Sequence, residues 1–281
     1  MDKTINLEAI ALESARTLLF VPGHRPDRFD KAVAAGADAI IIDLEDAVSP
    51  EQKVASRKHA QSWVARGGKA VVRINARDKR WFLDDATMAA AASAIILPKA
   101  EAASDVAAVS EAVGHRAQII PMIETVRGLT AVKDICRVPG VIRLAFGNVD
   151  FAAILGVDPA SHLALQAARS AIVYASGETG CAPPIDGVTT SIDDQTLLTE
   201  DTRHARELGF TGRLCIHPNQ LATVSRMLSP TAKEITWAHE VLASTGTGVG
   251  VHAGHMIDEP VRVRARRIIA RADAIGAVTP H

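Results

Sequence analysis

The sequence predicts a closed barrel of eight parallel strands alternating with helices, the (β/α)₈ or TIM-barrel class, carrying a C-terminal helical extension. Three observations lead there. Eight short β-branched runs recur along the chain. Segments with helical spacing of apolar residues lie between them. The runs are apolar throughout instead of alternating, which is the pattern of parallel strands buried on both faces, and eight such units close a barrel. A doubly wound open sheet is the alternative, but no Gly-x-Gly-x-x-Gly follows the first run to support it. A chain of 281 residues is long for one domain yet ordinary for such a barrel.

Taken in order, the first run, 18–21, ends at Pro22-Gly23-His24-Arg25, and a helix is expected over 25–35 with Pro26 in its first turn. The second, 39–42, ends at Asp43-Leu44-Glu45-Asp46, and Ser49-Pro50-Glu51 opens a helix over 51–66. The third, 70–74, contains Arg73 and leads to Asn75; the fourth, 94–97, ends at Pro98-Lys99 before a helix over 102–113. The fifth, 118–123, ends at Glu124, and the sixth, 141–146, leads through Gly147-Asn148-Val149 to Asp150. The seventh, 185–188, holds Asp186-Gly187; a helix over 196–208 separates it from the eighth, 213–216, which ends at His217-Pro218-Asn219 before a helix over 220–228. A break at Ser229-Pro230 divides a catalytic barrel, 1–230, from an extension, 231–281, read as a helix over 231–244, a glycine-rich link over 245–250 and an arginine-rich helix over 258–272. The extension suits a lid or an arm onto a neighbouring subunit; a solvated helix pair is the plainer reading.

With 31 basic against 32 acidic residues the net charge is −1, and no basic run exceeds Arg264-Ala265-Arg266-Arg267, so nucleic acid is not an expected partner. Cys136, Cys181 and Cys215 lie far apart and form no Cys-x-x-Cys pair, which argues against a zinc knuckle or a disulfide framework and for a reducing, cytoplasmic setting. Asp2, Glu8 and Glu13 are wrong for a leader peptide, and no apolar run is long enough to span a bilayer.

The C-terminal ends of barrel strands form the active mouth, and here they are unusually polar. Glu124 and Asp150 close neighbouring runs, and two carboxylates suit Mg²⁺, which completes its octahedron with water and substrate oxygens. A helix N-cap acid and an ordinary loop acid would account for the same two residues. Arg73 sits within an apolar run, where an unpaired guanidinium costs several kcal/mol, so it requires an acid or an anionic substrate; an ion pair with Asp43 or Glu45 is the structural alternative. Lys99 suits either a Schiff base or, preferably, a charged pair with nearby acids. Arg16, Arg25, Arg28 and Lys31 flank the first strand and could hold phosphates at the rim, or simply be solvated. His217 fits a proton relay or a hydrogen-bonded strand closure better than a Mg²⁺ ligand.

These residues resemble one family. Leu19-Phe20-Val21-Pro22-Gly23, Asp43-Leu44-Glu45-Asp46-Ala47-Val48, Val72-Arg73-Ile74-Asn75, Leu97-Pro98-Lys99, Glu124-Thr125, Gly147 to Asp150, Ile185-Asp186-Gly187, Gly209-Phe210, Ile216-His217-Pro218 and Met256-Ile257-Asp258 together look like the HpcH/HpaI aldolase and citrate lyase beta-subunit family, in its CitE-like branch. The resemblance implies a Mg²⁺-dependent barrel that cleaves a carbon–carbon bond beside a thioester, releasing acetyl-CoA and a small keto acid from a malyl-CoA or citramalyl-CoA type substrate. A citrate lyase beta subunit acting on an acyl-carrier thioester, and a thioesterase on the same site, are the alternatives. It places the metal on Glu124 and Asp150, catalysis on Arg73 and Asp258, and substrate binding around Arg16, Arg25, Asp43, Glu45, Arg73, Lys99 and His217. Asp258 matches the acid that, in related CoA lyases, reaches an adjacent subunit, which implies a homo-oligomer such as a trimer or hexamer. Two departures stand out: 156–168 is short where malyl-CoA lyases carry an insertion, and Asn148-Val149 replaces the usual Ala-Glu.

Overall fold

The eight apolar runs become eight strands: β1 (Thr17–Pro22), β2 (Ala39–Asp43), β3 (Val71–Arg73), β4 (Ala94–Leu97), β5 (Ile119–Ile123), β6 (Arg143–Phe146), β7 (Ala182–Asp186) and β8 (Gly212–Cys215). In the computed structural model, which describes residues 12–115, 117–244, 250–252 and 255–278, they form a closed parallel barrel in sequence order, with β8 returning to β1. Helices separate the strands and cover the barrel, so its outer surface is buried too. Leu18, Ile41, Val71, Ala94, Ile96, Ile120, Met122, Ala145, Ile185 and Leu214 fill the interior in one apolar cluster.

The seventh strand begins three residues earlier than its β-branched run suggests, because Pro183 and Pro184 disguise it. Neither proline can donate to the sheet, and the register between β6 and β7 shifts between Arg143 and Ala145. Buried Arg143 uses the local carbonyls instead, donating to Pro183 O, Pro184 O, Leu12 O and Ala15 O. Those bonds seal the end of the barrel opposite the mouth.

The chain divides into two compact units, 1–227 and 228–281. In the second, the helix Ala232–Ala243 starts with a capping box in which Thr231 and Glu234 satisfy each other's backbone N–H. It packs with the helix Glu259–Val278 through Ala238, Val241, Ile257 and Ala265. Between these helices the strands β9 (Gly250–His252) and β10 (His255–Ile257) pair antiparallel, an element the reading of a plain link did not anticipate. Asp2 and Glu8 of the leader reading, and the link at 245–249, lie outside the described residues. Among the described residues, no helix is long and apolar enough to cross a membrane.

Candidate active site

Parallel closure brings the ends of all eight strands to one face, and at its centre lies a cavity of about 390 Å³. Its lining includes the charged Asp43, Asp46, Arg73, Glu124 and Asp150 and the apolar Phe20, Met122, Phe146, Val188, Leu214 and Ile216.

Arg73 ends β3 beside the acids that follow β2. Its Nε and Nη2 donate to the two oxygens of Asp43 at 2.7 Å each, and its Nη1 lies 3.0 Å from Glu45 Oε2. The guanidinium also sits 4.8 Å from the Phe20 ring centre. Burial opposes ionisation of Asp43, but the Arg73 charge and hydrogen bonds outweigh it and hold the carboxyl below its usual range. The two readings of Arg73, structural pair and substrate contact, are compatible: it is paired on one side and lines the cavity on the other.

Lys99 lies two residues beyond β4 in the left-handed region, with φ 48. That turn directs its backbone N–H to Glu124 Oε1 at 2.7 Å while its Nζ donates to Glu45 Oε1 at 2.9 Å. Burial disfavours the ammonium, yet the Glu45 bond and the surrounding acids raise its pKa above that of an ordinary lysine, so Lys99 is held as a charged pair with Glu45.

Glu124 and Asp150 occupy different local settings than cap acid and loop acid. Thr125, not Glu124, caps the helix Val126–Thr130, its side chain accepting from Gly128 N at 3.0 Å. Asp150 lies in the first turn of the helix Asn148–Leu155, half-buried at the cavity wall. Glu124 is 1 % exposed; burial first, then the charges of Glu45 and Asp150, push its carboxyl up to about 8 against the opposing pull of Lys99 and Arg73. A site where acids outnumber the bases that face them, with oxygen donors only, fits a hard divalent cation. Gly147 makes room for it: a Cβ there would stand 2.5 Å from Glu124 Oε2. Among the described residues no three His, Cys, Asp or Glu side chains converge as a closed cage.

Arg16, Arg25 and His217 do not line the cavity, and neither do Glu45 and Lys99, which reach it only through Arg73 and Glu124. Arg16 precedes β1, at the opposite end of the barrel, and is held by Asp38 through Nε at 2.9 Å and Nη2 at 2.8 Å, so the proposed basic cluster with Arg25 does not form. Arg25 is on the mouth side, engaged with Asp27. His217 Nδ1 accepts from Asn219 N at 3.2 Å, closing the end of β8. Asp258 lies in the second unit and caps its last helix, accepting from Val261 N at 3.1 Å.

The structure adds residues that sequence reasoning passed over. Lys53 is buried and donates to Leu44 O at 2.8 Å and Glu45 O at 2.7 Å, clamping the acid-bearing loop from below. Asn75 donates to the same Leu44 carbonyl, and Asp85 holds Asn75. Asn148 exchanges two hydrogen bonds with the Val188 backbone, tying the end of β6 to that of β7. Asp186 accepts from Arg169 and Arg213 in a fully buried triad and does not reach the cavity. A Lys nine residues after a Leu carries no local signal for such a clamp; only the paired motif Asp43 to Lys53 in space reveals it.

A parallel barrel with an acid-rich mouth of this kind is an enzyme's architecture. Residues 16–218 match the HpcH/HpaI aldolase/citrate lyase family, and the chain belongs to it. The chain is 34% identical over 265 residues to a citrate lyase subunit beta-like protein of Mycobacterium tuberculosis, covering 90% of this chain and 94% of that one. It is 32% identical over 275 residues to a (3S)-malyl-CoA thioesterase of Cereibacter sphaeroides, covering 93% and 96%. The crystal structure of CitE from Mycobacterium tuberculosis in complex with magnesium, acetoacetate and coenzyme A superimposes with a TM-score of 0.79 at 32% identity, covering 93% and 99%. The protein is thus a CitE-like enzyme of the lyase class.

Proposed function

We propose that the protein cleaves the carbon–carbon bond of a 3-hydroxy-3-carboxyacyl thioester, such as citramalyl-CoA or malyl-CoA, to acetyl-CoA and a 2-keto acid. The observation that carries this reading is that one cavity is lined both by carboxylates with a guanidinium and by apolar side chains. The first suits a hydroxyl and a carboxylate; the second suits the acyl carbons. Glu124 and Asp150 would hold Mg²⁺, which when bound supplies a Lewis acid for substrate oxygens. Arg73, fixed by Asp43 and Glu45, presents a positive charge that needs no reorganisation as an enolate oxygen gains charge; losing such a donor costs about 10²–10³ in kcat. Lys99 keeps Glu124 in place through its N–H and Glu45 through its Nζ. Asp258, assigned by family resemblance, would transfer the proton from a neighbouring subunit of a homo-oligomer, a trimer or hexamer, a role worth about 10²–10⁴ in rate.

A second reading is favoured by one relative, the malyl-CoA thioesterase: the same cavity would admit water to the thioester. A carrier-protein thioester in place of CoA is the third. Incubation with malyl-CoA, citramalyl-CoA and citryl-CoA, with and without Mg²⁺, followed by mass spectrometry, separates them. Mg²⁺-dependent acetyl-CoA and keto acid support the lyase; free hydroxy acid and CoA support the thioesterase. No turnover of any free CoA ester refutes CoA as the carrier.

A further inference from the structure

The end of the barrel remote from the mouth carries a feature the proposed reaction does not use. Cys136 closes the helix Val132–Cys136, and Cys181 enters β7 just after Gly180 terminates the helix His162–Thr179 at φ 78. Although 45 residues apart, their sulfurs meet: Cys136 Sγ donates to Cys181 Sγ at 3.0 Å, and Cys181 Sγ donates to the Cys136 carbonyl oxygen at 3.3 Å. Both line a second cavity, about 450 Å³, with Glu13, Arg137 and Thr179. The pair is therefore open to small molecules although Cys136 itself is 4% exposed. Cys215, by contrast, is fully buried, and burial pushes its thiol up to about 12.

We propose that Cys136 and Cys181 are a redox-active dithiol that hydrogen peroxide converts to an intramolecular disulfide. The hydrogen bond from Cys136 Sγ lowers the Cys181 thiol below an ordinary cysteine and raises that of Cys136, so Cys181 is the sulfur that gives up its proton first. Cys181 attacks one peroxide oxygen; the O–O bond breaks, hydroxide leaves and takes a proton to become water, and Cys181 becomes a sulfenic acid. Cys136 sulfur then attacks Cys181 sulfur, its thiol proton passing to the departing hydroxyl, so that the S–S bond forms, the S–O bond breaks and a second water leaves. Two thiols lose two electrons, and one peroxide becomes two waters. A dithiol reductant reverses the exchange. The disulfide joins the turns that precede β6 and β7 on the face opposite the metal carboxylates. This inference is independent of the reaction proposed for the mouth.

The test uses the full-length reduced protein with equimolar peroxide, alkylation of the remaining thiols and peptide mapping. The expected result is a Cys136–Cys181 linked peptide, an alkylated Cys215, a melting temperature raised by about 5–10 °C for a loop of this size, and reversal of both changes by dithiothreitol. In Cys136→Ser, dimedone should trap Cys181 as its sulfenic acid; in Cys181→Ser, Cys136 should stay alkylatable after peroxide. Three alkylatable thiols after treatment of the parent protein, oxygen addition to a single cysteine there, or disulfide-linked dimers would each overturn the proposal. A Cys136→Ser protein that shows no dimedone adduct would overturn the assignment of Cys181 as the attacking sulfur.

Discussion

Gly147→Ala isolates the carboxylate geometry of the mouth from everything else. Gly147 has φ −90, open to any residue, so the substitution strains no backbone and by itself should add about 0.4–1 kcal/mol of stability through the unfolded chain. The new methyl would lie 2.5 Å from both Cβ and Oε2 of Glu124, whereas ordinary contact begins at 3.4 Å, so atoms must part by 3.4 − 2.5 = 0.9 Å. Glu124 cannot yield freely, because Lys99 N–H holds its Oε1 at 2.7 Å. Overpacking of this kind costs about 1–3 kcal/mol, leaving a net loss of about 1–2 kcal/mol and a melting point lower by about 2–8 °C in a unit of this size. Mg²⁺ tolerates little departure from octahedral geometry, so its affinity should drop at least about ten-fold by titration calorimetry. Gly177→Ala, at a helix position with nothing within 4 Å, is the control and should gain about 0.5–1 kcal/mol with unchanged Mg²⁺ affinity. Parental Mg²⁺ affinity in Gly147→Ala would refute Glu124 as a ligand.

Four further outcomes can be checked. Glu124 ionises near 4.5 in the unfolded chain and near 8 in the fold, so between those values the folded protein binds the extra proton; metal-free stability should therefore fall as pH rises from 4.5 to 8 and level off above. Mg²⁺ must displace that proton, so calorimetry at pH 8, 7 and 6 should show affinity weakening by up to about ten-fold per unit; a pH-independent affinity would contradict it. Asp186→Asn leaves Arg169 and Arg213 without their shared charge at side-chain exposures of 3% and 1%. Arg213 keeps Asp201 and Thr189, so the expected cost is about 3 kcal/mol, read as a lower urea midpoint; an unchanged midpoint would remove the triad from the stability of the barrel. Mixing the separately inactive Glu124→Gln and Asp258→Asn proteins should restore part of the activity if Asp258 serves a neighbour's mouth, and no restoration would confine it to its own chain.

What the sequence determined by itself was the order and character of the strands, because a strand buried on both faces is apolar along its length and eight such runs favour closure into a barrel. The same logic exposed the mouth: Arg73, Glu124 and Asp150 stand at or just beyond the C-terminal ends of those runs. The tertiary structure decided whatever depends on which end of an element a residue occupies and what faces it across the barrel. Arg16 and Arg25 are neighbours in sequence but lie at opposite ends of β1, since a strand of six residues carries the chain from floor to mouth. Pro183 and Pro184 conceal a strand because the prolines that look like breakers have their missing donors accommodated by a register shift. Cys136 and Cys181, distant in the chain and without a spacing motif, meet because β6 and β7 are adjacent and begin on the same face. Periodicity reports the environment along one element; contacts such as Lys53 with the carbonyls of Leu44 and Glu45 exist only once separate elements are packed, and no local pattern encodes them.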